Sequence, residues 1–270
     1  MKSSSSKASS GQTVLILANG NHRVPMRKLK DWLEKNLPQY TYKICGQFFF
    51  RRRVQITKPK AIITYNKNLM RLKTVKALKQ YTESGGILLA LHHNVSFMML
   101  RRPEWLDFTG IQIEKGEAAK HPWSVIEGGD LYLTNLQPDH PITTTNVKYV
   151  STMPNFEFDP DPSEKVLTTE LSEEEKQNLK KSEAEKRPAI LFESSEYFIN
   201  HIPLADPDRT FLFGQYFDDQ ASGRQFHSAN GGWMIPKGNG WLFYLMPGHS
   251  SKDYHENYCN VIKNCITYRG

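Results

Sequence analysis

Apolar runs and amphipathic stretches take turns along the first hundred positions. Thr13 to Ala18 (TVLILA) is apolar without alternation, as a parallel strand covered on both faces must be. A turn at Asn19-Gly20-Asn21 separates it from a helical pattern over Pro25 to Asn36, whose proline suits the first turn, where a missing N–H costs nothing. Tyr40 to Cys45 predicts a second strand and Lys60 to Tyr65 a third; Phe48-Phe49-Phe50 between them caps the core or lines a cleft. Leu69, Leu72, Val75 and Leu78 fall at helical spacing, and Ser84-Gly85-Gly86 ends that helix because glycine accepts the left-handed cap. Ile87 to Leu91 is the next strand. This rhythm predicts an α/β fold with a doubly wound, mostly parallel sheet.

Beyond Arg101 the rhythm weakens. Proline and glycine between Trp105 and Pro141 predict loops and hairpin-like pieces such as Asp130 to Thr134, laid over the carboxyl edge of the sheet. Leu171 to Lys186 (LSEEEKQNLKKSEAEK) is nearly all polar and predicts a solvated helix or a mobile insertion. Ala189 to Phe192, Thr210 to Tyr216 and Gly240 to Met246 read as strands. Ser251 to Tyr268 reads as a closing helix with Tyr254, Tyr258, Val261, Ile262 and Cys265 inward.

Composition narrows the possibilities. With 39% hydrophobic residues and 14 Phe, 12 Tyr and 5 Trp in 270 positions, the chain can bury one large core, so a single domain over 12–270 is expected behind a flexible Ser/Lys-rich tail at 1–11. The net charge of +7 is scattered in short pieces such as Arg51-Arg52-Arg53 and forms no stripe interleaved with aromatics, which speaks against a nucleic-acid partner. Cys45, Cys259 and Cys265 are an odd number without CxxC spacing, so reduced buried thiols are expected. No apolar run reaches membrane-spanning length and no signal-type apolar segment opens the chain. A cytoplasmic location is the reading, with periplasm or export open if a leader was removed.

Ligands of open parallel sheets bind at the carboxyl ends of the strands. The residues there are Asn19 to His22, Tyr65-Asn66, His92-His93-Asn94 and Gly248-His249-Ser250, so three of four strand ends deliver histidine. His92 occupies the sharp bend after its strand, with a helix expected to start at Ser96. At that bend some hydrolases carry a nucleophile, but an imidazole acts instead as acid, base, hydrogen-bond donor or metal ligand. His121 beside Pro122 and Trp123, together with Trp233, supplies further imidazole and aromatic walls suited to a sugar ring. Among unanchored carboxylates (Glu83, Glu104, Glu157, Asp159, Asp253), Glu157 stands out between Phe156 and Phe158. The candidates are thus His92, His249 and Glu157 for catalysis and His22, Asn66, His93, His121, Trp123 and Trp233 for substrate. His92, His121 and His249 are candidates for a divalent metal such as zinc, although no HxH or HExxH spacing marks one.

The segments Ser84 to His93, His121-Pro122-Trp123, Asp139-His140-Pro141-Ile142-Thr143 and Gly238 to His249 resemble, in order, the ThuA-like (trehalose utilisation) family. That family is related in fold to class I glutamine amidotransferases. The resemblance implies a flavodoxin-like sheet with histidine in place of the amidotransferase cysteine, hence no ammonia release from glutamine. It also implies a role on disaccharides or keto-sugars, as a hydrolase or isomerase of sugar derivatives. The alternative is a non-catalytic carbohydrate-binding or complex-forming module, and assembly into a homo-oligomer stays open. Met153 to Phe158 only approximates the family's acidic-aromatic segment, and Asn239 stands where a basic residue is usual.

Overall fold

The computed structural model describes residues 12–158, 168–181, 186–204, 206 and 208–270. The tail at 1–11, Asp159 and residues 182–185 of the polar segment lie outside the described residues. In chain order the elements are β1 (Thr13–Ala18), α1 (Arg23–Asn36), β2 (Thr41–Cys45), α2 (Phe50–Thr57), β3 (Ala61–Tyr65), α3 (Leu72–Glu83), β4 (Ile87–Leu91), α4 (Pro103–Thr109), β5 (Ile111–Ile113), β6 (Ser124–Asn135) and α5 (Pro141–Thr144). There follow β7 (Ser151–Pro154), β8 (Thr169–Glu170), α6 (Glu173–Lys181), β9 (Lys186–Ile199), β10 (His201–Pro203), β11 (Thr210–Asp219), β12 (Arg224–Lys237), β13 (Gly240–Leu245) and α7 (Glu256–Thr267).

Ten strands form one continuous sheet in the order β2-β1-β3-β4-β13-β12-β11-β6-β9-β7, with β8 attached to β12; β5 and β10 make a separate pair. From β2 to β13 neighbouring strands run parallel. From β13 to β7 every pairing is antiparallel. The sheet is therefore mixed. The long β6 stands where loops and a hairpin-like piece were expected and β12 where no strand was read, while β11 matches the strand expected over Thr210 to Tyr216 and β9 extends the one expected over Ala189 to Phe192 at both ends. Those strands carry enough buried aliphatic and aromatic side chains to be central, but Gly129, Gly214, Gly231 and Gly232 break their apolar runs. Glycine is needed there because a Cβ on Gly129 or Gly231 would lie under 3 Å from Phe217 or Leu133.

The parallel strands β1, β3 and β4 are buried at every position, which accounts for their unbroken apolar runs. α1 packs against α7, while α2 and α4 pack against α3. The five residues expected inward on the closing helix segment are all buried. Phe50 is buried at the start of α2, whereas Phe48 and Phe49 are exposed. After β4 the chain makes short 3-10 turns over His92–Val95 and Phe97–Arg101, and the helix expected at Ser96 begins only at Pro103. Most of the polar 171–186 segment is the exposed helix α6, opened by a reciprocal Ser172–Glu175 cap. Among the described residues no helix is long and apolar enough to cross a membrane.

The turn after β13 is held from three sides. Tyr258 Oη donates to the Pro247 carbonyl at 2.6 Å, Tyr254 Oη to that of Gly248 at 3.2 Å, and Tyr65 Oη to that of His249 at 2.7 Å. Gly248 makes the turn possible: its φ is +120°, and a Cβ there would come within 2.7 Å of Tyr254 Oη. Gly248→Ala is expected to lower stability by about 1–3 kcal/mol in urea unfolding. Gly223→Ala, at φ +70° with open space around it, is expected to lose only about 1 kcal/mol. Tyr258→Phe should cost about 1 kcal/mol, through one unmet buried carbonyl.

His201 on β10 is buried, with Nδ1–H donating to the Phe198 carbonyl at 3.1 Å. Burial pushes its imidazole down to about 4 from an ordinary 6.5. The unfolded chain thus binds the proton more readily, so this contribution is complete above pH 6.5 and is lost as pH falls toward 4, by about 3 kcal/mol. Unfolding free energies measured from pH 7 to 4 should fall less steeply in His201→Gln than in the wild type.

Candidate functional site

The ends of β1, β3, β4 and β13 bring His22, Tyr65, His92, His93 and His249 into mutual ring contact. The His22 and His93 rings are 5.1 Å apart, His93 and Tyr65 5.1 Å, His92 and His93 4.4 Å, and His92 and His249 5.5 Å. Asn66, fully buried at the end of β3, accepts from Asn19 Nδ2 at 2.8 Å and so ties the β3 end to the β1 end. Asn94 performs a similar tie, donating to the Thr64 and Leu91 carbonyls.

His92 sits at the bend with φ +41°, a conformation that costs a non-glycine residue of order 1–3 kcal/mol. Two short hydrogen bonds offset that strain. Its Nδ1 faces the Met246 carbonyl at 2.7 Å, and because a carbonyl only accepts, Nδ1 carries the hydrogen. Its Nε2 faces Glu196 Oε2 at 2.5 Å. With Nδ1–H fixed, a neutral ring would point a lone pair at a carboxylate oxygen, so a proton or another cation has to lie between them.

Glu196 is the residue that joins the histidines. Its Oε2 also meets His249 Nδ1 at 2.9 Å and stands 4.0 Å from His93 Nδ1. A β-bulge delivers it: the register with β6 slips around Gly129 and Ser195, where Ser194 has φ +50°. Every residue of β9 from Ser195 onward is buried. Phe198, on the same stretch, stacks on the His92 ring at 4.5 Å, and Trp123 packs on Phe198 at 5.5 Å.

Burial by itself would raise the Glu196 carboxyl, but the hydrogen bonds from His249 and His92, with their charge, outweigh it and hold it below the ordinary carboxylate range. His249 is raised in return by its bond to Glu196, against the effect of burial. His93 is lowered by burial and by the neighbouring His92. His22 is lowered by burial and then by Lys67. Of His92, His93, Glu196 and His249, the first three are buried and His249 stays partly open, with its side chain 34% exposed.

The sequence candidates divide accordingly. His22, His92, His93 and His249 converge, Asn66 braces them, and Trp123 lies one ring behind Phe198. His121 is partly exposed beside Trp123, its backbone N–H donating to Glu114, and is not among the cluster of potential metal ligands His92, His93, Glu196 and His249. Glu157 is exposed on a cavity of about 720 Å³ together with Phe156, Phe158 and Arg187, and none of the cluster lines that cavity. The carboxylate that reaches the histidines is Glu196, not Glu157. Trp233 is fully buried on β12 between Tyr244 and the Arg209 guanidinium, 4.1 Å from its ring, so it is part of the core and no open wall. Glu196 and Phe198 were missed as site residues, and Tyr65, placed at the ligand edge, was given no role there. The available signal was Glu196-Tyr197-Phe198-Ile199, an acid heading an apolar quartet, hidden because the strand was read as ending at Phe192.

No protein-family model and no curated protein matches the chain. Solved structures do. A Bacteroides uniformis protein named ThuA-like aligns over 98% of this chain and 93% of its own, with TM-score 0.57 and 14% identity. A Parabacteroides merdae protein named in the same way aligns over 95% of this chain and 89% of its own, with TM-score 0.59 and 14% identity. Over nearly its whole length, the chain has the fold of those ThuA-like structures.

Proposed function

We propose that this protein acts on a disaccharide or keto-sugar held over the histidine cluster, on a flavodoxin-like doubly wound half-sheet. The observation that carries the reading is the single Glu196 oxygen shared by His92 and His249 beneath the stacked Phe198. Such a center polarises a carbonyl or hydroxyl oxygen and positions a proton beside it. The half-buried His22 furnishes the rim with the buried His93 beside it, and the partly exposed Trp123, backed by the buried Phe198, offers the apolar face on which a pyranose ring rests while its hydroxyls meet imidazoles. The parallel order β2-β1-β3-β4-β13 supports the flavodoxin-like assignment, since it repeats the 2-1-3-4-5 pattern of that fold. The likeness to ThuA-named structures supports the carbohydrate assignment.

Amidotransferase chemistry is not proposed. His92 takes the nucleophile's place, and burial pushes the Cys45 thiol up to about 11 and that of Cys259 to about 12, away from reactive thiolate. Incubation with disaccharides and their keto derivatives, followed by chromatography, is expected to show turnover in the wild type. In His92→Ala and Glu196→Gln turnover should drop about 10²–10⁴-fold, whereas Glu157→Gln should keep it. Binding of sugar without turnover would instead identify a carbohydrate-binding module, and equal rates in wild type and His92→Ala would make His92 structural.

A further inference from the structure

We propose that His92, His93, Glu196 and His249 are the ligands of one divalent transition ion of the zinc class. The inference deepens the reading above and takes from it only the identity of the substrate; the ion site stands on the geometry of these four residues.

Their donor atoms all lie within 4.8 Å of one another. Around a tetrahedral ion with bonds of the usual length, neighbouring donors are about 3.3 Å apart. The separations here straddle that value: 2.5 Å and 2.9 Å from Glu196 Oε2 to His92 and His249, and 4.0 Å to His93. Displacements on the scale of about 1 Å would therefore bring the set onto the ion. Three ring nitrogens converging on one carboxylate oxygen is more donors than a structural hydrogen bond calls for.

The rings are also fixed from behind, as metal-ligating imidazoles are. His92 donates Nδ1–H to the Met246 carbonyl, which leaves Nε2 as the ligand atom. The backbone of His249 is held by Tyr65, and the His93 ring is flanked by those of Tyr65 and His22. Three imidazoles and one carboxylate suit zinc, iron or nickel and disfavour magnesium and calcium, which take oxygen ligands. The ligand side chains are 0–4% exposed except that of His249 at 34%, so the ion would be approached from one side, where a water or a sugar oxygen would add a fifth ligand.

The test uses the tag-free chain, stripped by chelator and titrated with Zn²⁺ alone in a calorimeter. One ion per chain is expected, and Co²⁺ in its place should give the visible absorption of a four- or five-coordinate site. Glu196→Gln and His249→Ala should each weaken Zn²⁺ by about 100-fold or more, beyond what loss of an outer-shell partner brings, with unchanged far-UV circular dichroism. His140→Ala, which removes a histidine at the N-cap of α5, should bind like the wild type. If Glu196→Gln fails to fold, the partly exposed His249 carries the same comparison. Absence of stoichiometric uptake, or equal affinity in wild type and His249→Ala, would overturn the proposal. Zinc uptake without action on or binding of any sugar would overturn only the substrate reading, and turnover by a chain that takes up no ion would overturn only the metal site.

Discussion

A carboxylate drawn out of water costs several kcal/mol unless cationic donors meet its oxygens, and Glu196, 3% exposed beside Tyr197 and Phe198, imposes that condition on everything around it. The positive φ of His92, the Met246 carbonyl that sets its tautomer and the three tyrosines that grip residues 247–249 all place a donor where Glu196 needs one. The bulge in β9 meets the same demand from the other side, by aiming the acid inward at the point where the strand becomes wholly buried. Stability and chemistry are joined here. Removing any one imidazole leaves a buried charge less well matched, so effects on folding and on the site have to be separated by measurement.

The parallel half was legible because it is buried on both faces. Its strands are short, unbroken and ended by turn residues, and its helices show apolar residues at regular spacing, so β1, β3, β4 and the closing helix were readable within a few residues. The antiparallel half was legible only in pieces: β11 was read over Thr210 to Tyr216 and β9 over Ala189 to Phe192, but β12 was not read as a strand. β9 runs on through Glu193-Ser194-Ser195, past Phe192 where the strand was read as ending, by way of a bulge, and β12 carries Asn230-Gly231-Gly232, where neighbouring strands approach closely. Polar and glycine residues that ordinarily punctuate a chain here serve packing inside long strands.

The same failure hid part of the site. Histidines at strand ends were visible because position after an apolar run is itself a signal. Glu196 follows a different logic, in which a strand has to continue through its apparent end before the acid can face inward. Glu157, flanked by aromatics in sequence, was the more conspicuous carboxylate, but its neighbours Phe156 and Phe158 pack toward His227, away from the cluster. Local surroundings in sequence indicate desolvation poorly when the flanking rings turn to another face.

β13 lies at the seam, parallel to β4 on one side and antiparallel to β12 on the other, and this has a consequence for the order of assembly. The contact from His92 to Glu196 spans 104 positions and that to Met246 spans 154. During synthesis β4 and its paired histidines emerge long before either partner exists, and the inner edge of β4 stays open until β13 inserts. Contacts of such separation form late, because each pays the entropy of closing a long loop. The center can therefore close only once β13 has been made, and a chain truncated before β13 would present imidazoles without the seam that orders them.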